Sequence, residues 1–245
     1  MIFAKCPRLY GNVILLPDLP PVGTHHDVVL DHWTLYDRSH QMIPDSGFFR
    51  GVPNYTSFGG SPATSYDVAR VRDCMPDKDF FWLGPFHIHF GHFLVSTLAR
   101  AWALATHAQP DTLIVYVGGV PPRDLFEIGF VRDCLTALGI TADRLVQVTA
   151  PIRFPRITVA APAFTENHSI YPIYFHMLRA MAVKLCDANG ASSGDSDRPI
   201  YISKEKVSSG VRTIGMGSWE CARIACRAWA RPTGSTAGSS CSASP

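Results

Sequence analysis

The hydrophobic rhythm of the chain changes near residue 80. Before that point apolar positions come in short runs. Val13–Leu16 and Val28–Leu35 are long enough for strands, and Pro17, Pro20, Pro21 and Gly23 punctuate between them. Asn54 to Ser65 has the composition of a loop, and Asp67–Arg72 could make one or two helical turns. From Phe80 onward, strand-length and helix-length patterns alternate. Phe80–Leu83 predicts a short strand that ends at a Gly84-Pro85 break. A long helix is expected from Phe90 to just before Pro110, because proline disfavours helix at the residue preceding it. It is apolar around most of its circumference and should be buried. Thr112–Val117 is a continuous apolar run, as in buried parallel strands. Pro121-Pro122 opens a helix from Arg123 to Leu138, with Leu125, Ile128, Val131 and Leu135 inward and Gly139 as its stop. Leu145–Val148 and Ile157–Ala160 predict strands, Ile173 to Asp187 a helix, and Pro199–Ser203 a last buried strand.

This alternation places the chain in the α/β class, with a Rossmann-like parallel sheet. The expected organisation is an irregular set of strands and loops over 1–79, the α/β domain over 80–187, and a flexible linker over 188–197. A second unit begins at 198–215, and a low-complexity tail fills 216–245. Arg231 to Pro245 has almost nothing to bury and reads as disordered. In parallel sheets ligands sit at the carboxyl ends of the strands. The turn from His87 to His92 and the basic loop after Ser203 both fall at such ends.

Composition narrows the classes. The 245 residues are 47% hydrophobic and 17% charged with a net charge of +2, which suits a soluble globular protein and leaves no electrostatic footprint for nucleic acid. No apolar run approaches the roughly 18 residues of a membrane span, so any membrane association would be peripheral. The first residues lack the apolar core of a secretory signal. Seven cysteines without a C-x-x-C pair suggest neither a zinc ribbon nor a redox motif, and a reducing, cytoplasmic setting is expected. There is no G-x-G-x-x-G and no P-loop, which argues against Rossmann dehydrogenases and kinase-like NTPases.

Within the long helix the polar residues His89, His92, Ser96 and Arg100 recur at spacings of three or four, which places them on one stripe. Such a stripe either lines a cleft or is the solvent edge of a core helix. His87, His89 and His92 could ligate a metal, but no carboxylate or thiolate stands near them in sequence. Acid–base or hydroxyl-binding work by His89 or His92 is preferred to metal binding, beside a purely structural role at the helix start. A buried Arg100 requires a partner, read as a carboxylate inside the fold ahead of an anionic ligand. Lys204, Lys206 and Arg212 follow a strand end and could hold a diphosphate, or form an ordinary basic surface loop. His25-His26 reads as surface.

Two stretches together resemble glycosyltransferase family 61, which includes bacterial capsular-polysaccharide-type enzymes. The first is Gly84-Pro85 with F-G-H-F-L-V-S-T-L-A-R-A-W-A-L at 90–104. The second is Arg198-Pro-Ile-Tyr201-Ile-Ser203-Lys204, followed by Gly210-Val-Arg212-Thr-Ile214. The likeness spans roughly residues 80–215. It implies an inverting, metal-independent transferase with two Rossmann-like domains in a GT-B-like arrangement, needing no cofactor beyond a nucleotide-sugar donor and acting on a glycan acceptor in polysaccharide biosynthesis. Carried over by position, Gly91, His92 and Arg100 match the first motif, and Arg198, Tyr201, Ser203 and Arg212 match the second. On this reading His89 or His92 would be the catalytic group. Ser96 and Arg100 would face the acceptor in an acceptor-side domain, and Arg198, Lys204 and Arg212 would hold the donor phosphates. Ser96 stands where the family commonly has an acidic residue, and Lys204 where it usually has arginine, which loses the bidentate fork. After Ile214 the family would continue into a donor domain, whereas this sequence turns to Gly, Ala, Ser and Arg. The expectation is a truncation or frameshift near Gly215–Met216 that impairs transfer, the alternatives being a non-catalytic sugar- or partner-binding remnant and a metal-dependent enzyme built on His87, His89 and His92.

Overall fold

The computed structural model describes residues 13–47, 49–50, 56–57, 70–73, 77–166 and 168–188. In chain order the strands are β1 (Ile14–Leu15), β2 (Val22–Asp31), β3 (Thr34–Tyr36), β4 (Phe49–Arg50), β5 (Thr56–Ser57), β6 (Arg72–Asp73) and β7 (Phe80–Pro85). After β7 come helix α1 (Phe90–Val95), a 3-10 helix (Thr97–Ala103), α2 (Leu104–His107), β8 (Leu113–Val117), α3 (Pro122–Leu125) and α4 (Gly129–Ala137). The remainder is β9 (Leu145–Gln147), β10 (Ile152–Ala160), β11 (Phe164–Thr165), β12 (Ser169–Ile170) and α5 (Pro172–Ala188).

The fold is mixed α/β around one mostly parallel sheet. Its order is β3-β2-β10-β7-β8-β9. β10, β7, β8 and β9 run parallel, while β2 is antiparallel to β10 and β3 to β2. β6 pairs with the start of β10, parallel and on the same side as β7. The step from β9 to β10 uses residues 148–151 and no helix.

All six residues of β7 are buried because both faces are covered. Side chains alternate across a strand, so Phe81 and Leu83 point to one face and Phe80 and Trp82 to the other. The first pair joins Phe93, Leu98, Trp102, Leu135 and Met181 from the helices. The second pair joins Val28, Leu30 and Leu35 of the β2–β3 hairpin and Phe154 of β10. Residues from the segment read as irregular thus supply a ten-residue strand and four buried members of the second core layer, Val28, Leu30, Leu35 and Ile43.

Several predicted elements change form. Val28–Leu35 is not one strand, since His32 and Trp33 turn it into a hairpin that pairs Asp31 with Thr34. Phe80–Leu83 does not stop at Gly84-Pro85. The strand continues through them, with Gly84 at φ +103 and a register shift between Trp82 and Gly84. Of Asp67–Arg72, residues 67–69 lie outside the described residues and Arg72 is in strand β6. The helix from Arg123 splits into α3 and α4 just before Gly129, a poor helix former. Gly139 stops α4 at φ +76, as its position implies. Ile157–Ala160 is only the last part of β10.

The long helix is the largest correction. It is α1, then the 3-10 helix, then α2. The break falls at Val95-Ser96-Thr97, where a β-branched residue, a serine and a second β-branched residue adjoin. Thr97 spends its hydroxyl outside the helix, accepting from His87 N at 2.9 Å and donating to Pro85 O at 3.3 Å. The tighter winding disperses the predicted polar stripe. His89 is exposed and His92 half-buried, whereas Ser96 and Arg100 are buried.

Arg100 is 0% exposed. Its Nε and Nη2 donate to Asp45 O at 3.1 and 2.7 Å, and Nη2 also donates to Gly47 O. The internal partner is therefore backbone carbonyl rather than carboxylate. Ser46 O accepts from Trp82 Nε1 at 2.9 Å, and Ser46 Oγ accepts from Leu35 N at 3.0 Å. Arg100 and Trp82 together fasten the 3-10 turn Pro44–Ser46, and with it the hairpin, to the sheet.

Among the described residues no helix is long and apolar enough to cross a membrane.

Candidate functional site

The carboxyl ends of β7, β8 and β9 lie side by side, and the polar chemistry gathers there. Phe86 extends the ladder by donating its N–H to Val117 O at 2.7 Å, and its ring packs against Phe93 and Tyr116 at centroid distances of 5.7 and 5.1 Å. The chain then turns outward at His87, whose N–H is held by Thr97. The His92 ring centroid is 5.8 Å from that of His87 and 5.3 Å from that of His89. Trp33, from the tip of the hairpin, stacks on His87 at 6.3 Å with 16° between the ring planes.

Burial, and secondarily the neighbouring His92, pushes His87 below its ordinary value of 6.5. Its imidazole is therefore neutral at physiological pH and can accept or donate at its ring nitrogens. As pH falls below 6.5, the unfolded chain takes up the proton before the folded one. Folding stability accordingly declines from there down to the folded value. Urea titrations at stepped pH should show this decline, and His87→Gln should flatten it.

Beside Trp33 lies a cavity of about 400 Å³. One wall is the turn Asp31, His32 and Trp33. Val117-Gly118-Gly119, Val148–Pro151 and Arg70 complete the lining. The loop after β8 is fixed in place: Gln147 Nε2 donates to Gly118 O at 2.6 Å and Tyr116 OH donates to Val120 O at 2.7 Å. Asp31 Oδ1 is 3.0 Å from His32 Nδ1, with the Asp31 side chain 7% exposed and the His32 side chain 67% exposed. The cavity thus offers an aromatic face, an imidazole, a cation and backbone amides, a set suited to orienting a polar ring-shaped ligand.

A second cavity, of about 460 Å³, opens at the carboxyl end of β10 between Pro21, Pro44, Asp45, Pro162, His168 and Tyr171. Arg100 holds the carbonyl of Asp45 from behind but does not line it.

The structure gathers His89 and His92 with His87 just past the carboxyl end of β7, none of the three lining the cavity beside Trp33, and leaves Ser96 and Arg100 buried. Ser96 is 1% exposed, and its Oγ has no hydrogen-bond partner among the described residues. Neither residue reaches a surface that an acceptor could touch. Arg198, Lys204, Lys206 and Arg212, with the strand Pro199–Ser203, the linker from residue 189 and the tail, lie outside the described residues. Among the described residues no three His, Cys, Asp or Glu side chains are gathered so as to hold a metal ion. Cys134 is buried, and burial pushes its thiol up to about 12, so it stays protonated and unreactive. His26 is exposed and His25 partly so, on the outer half of β2.

Sequence reasoning missed Asp31, His32, Trp33 and Arg70. The available signal was the polar Asp-His pair interrupting the apolar run from Val28 to Leu35, which marks a turn. Comparison with protein-family models, with curated proteins and with solved structures finds no match to this chain.

Proposed function

We propose that the chain is a glycosyltransferase that moves a sugar from a nucleotide-sugar donor to a glycan acceptor, on a Rossmann-like scaffold of the GT-B-like type. One observation carries the reading: Trp33 lines a cavity at the carboxyl ends of parallel strands and stacks on His87, which is the first of three neighbouring imidazoles. The resemblance of 84–104 and 198–214 to family 61 supports the same chemistry. So does the strand order. Apart from the short β6, the parallel strands taken in chain order lie third, second, first, fourth, which reverses direction between β7 and β10, and ligand crevices favour such switch points, here one strand away from the β8 and β9 ends that line the cavity. The direct turn from β9 to β10 is a departure from doubly wound connectivity.

In this reading His89 and His92 face the acceptor as hydroxyl-binding or acid–base groups, and Lys204 and Arg212 approach the donor diphosphate. Arg100 acts from below by holding the scaffold. The test is release of nucleoside diphosphate from a panel of nucleotide sugars with polysaccharide acceptors, using the full chain. His92→Ala should lower kcat/KM about a hundredfold for the donor that is turned over. Donor binding without any turnover would instead mark a sugar-binding protein.

A further inference from the structure

We propose that the cavity beside the Asp31–Thr34 turn is the acceptor subsite, with Trp33 carrying a sugar ring and His32 taking the proton from its reacting hydroxyl. This rests on the transferase reading and narrows it: the acceptor sits in this cavity and His32 is the base, which leaves His89 and His92 the hydroxyl-binding role.

The geometry of the turn is the first ground. A two-residue hairpin loop demands a left-handed backbone at its first position, where Gly, Asn or Asp is usual. Here His32 occupies it at φ +53, so an imidazole stands where the backbone favours a smaller residue. The neighbouring Asp31 is buried, and its carboxylate lies 3.0 Å from His32 Nδ1. That contact directs the Nδ1 proton to the carboxylate and leaves Nε2 as the acceptor, the division of labour a general base requires. The ring itself remains largely open to the cavity.

The walls are the second ground. Trp33 lines the cavity and also stacks on His87. Gly119, also in the lining, has open space around its Cα, so a ligand can approach the backbone there. Thr149 adds a hydroxyl. An aromatic platform together with amide and hydroxyl groups suits a neutral polyhydroxylated ring.

In the step itself the acceptor O–H bond breaks and its proton passes to Nε2 of His32. The oxygen forms a bond to the anomeric carbon of the nucleoside-diphosphate sugar. The anomeric carbon–oxygen bond to the diphosphate breaks, and its electron pair leaves with the nucleoside diphosphate. Asp31 is a positioning residue for the ring.

Two measurements on the full chain decide the matter. In the first, methyl glycosides of glucose, galactose and N-acetylglucosamine are titrated into isotopically labelled protein. At least one should shift both the Trp33 indole N–H and the His32 imidazole signals, and Trp33→Ala should weaken it tenfold or more. If none shifts these signals, or if the affinity is unchanged in Trp33→Ala, the subsite is refuted. In the second, His32→Asn, which tolerates the turn, should lower kcat for transfer about a hundredfold with KM within about twofold. Asp31→Asn should lower kcat about tenfold. Wild-type kcat in His32→Asn overturns the base assignment and leaves the transferase reading standing. Glycoside binding at Trp33 with no turnover of any nucleotide sugar overturns the transferase reading and leaves the subsite standing.

Discussion

Arg100→Ala is expected to lower folding stability by about 3–5 kcal/mol, the largest effect of any single change considered. The guanidinium makes three hydrogen bonds to the carbonyls of Asp45 and Gly47, with no exposure to solvent. Alanine leaves the buried Gly47 carbonyl and the half-buried Asp45 carbonyl without these donors and opens a cavity between the 3-10 helix and the turn Pro44–Ser46. Burial pulls Arg100 down to about 10, against the opposing field of Asp45, so it remains a cation at neutral pH and its bonds are charge-assisted. Arg100→Met should restore most of the volume and none of the hydrogen bonds, costing about 2–3 kcal/mol. Equilibrium urea unfolding at constant m measures both. An alanine variant within about 0.5 kcal/mol of the parent would mean that the turn is held by other contacts.

Gly84→Ala should cost about 2–4 kcal/mol, for two reasons that meet at the same atom. At φ +103 the backbone lies where side chains other than glycine's are strained. A Cβ there would also stand 2.9 Å from Arg100 Nη1, an atom with no hydrogen-bond partner among the described residues. The guanidinium would have to move, and its bonds to Asp45 and Gly47 would move with it. The two substitutions should therefore be less than additive, since the double variant has no guanidinium to displace. A double-mutant cycle returning a coupling below about 0.5 kcal/mol would show that Gly84 and Arg100 act independently.

How far the sequence revealed the fold depended on what kind of signal each element carried. Thr112–Val117 and Ile173 to Asp187 are set by local apolar pattern, and the structure places a strand and a helix there with small changes at the ends. The 90–107 segment kept its apolar pattern but not its winding, because Thr97 was drawn away by Pro85 and His87. No periodicity in the segment records that competition. The β2–β10 pairing was invisible for a different reason. Its outer half, Thr24 to Asp27, is exposed and polar, so only the inner half looks like a strand.

The candidate site divides in the same way. His89 and His92 were legible as a dense imidazole cluster, and their rings do lie together, although neither lines a cavity. Ser96 and Arg100 were placed beside them by a helical repeat that the 3-10 segment does not keep. Trp33 and His32 come to the crevice from a hairpin more than fifty positions away from His87 by way of tertiary packing, and spacing along the chain carries no record of that.

The pairing of β2 with β10 sets a timetable for synthesis. Val22 meets Ala160 and Val28 meets Phe154, so each partner emerges more than a hundred residues after the strand it must join. Until then the newborn hairpin can close only on itself, through Val29–Tyr36 and its neighbours. Closure of so wide a loop is entropically slow, and it leaves an open strand edge on the nascent polypeptide while the ribosome is still at work. Maturation of this molecule is therefore governed by its last central strand, and holding factors that shelter exposed edges would act in the interval before Ala160 arrives.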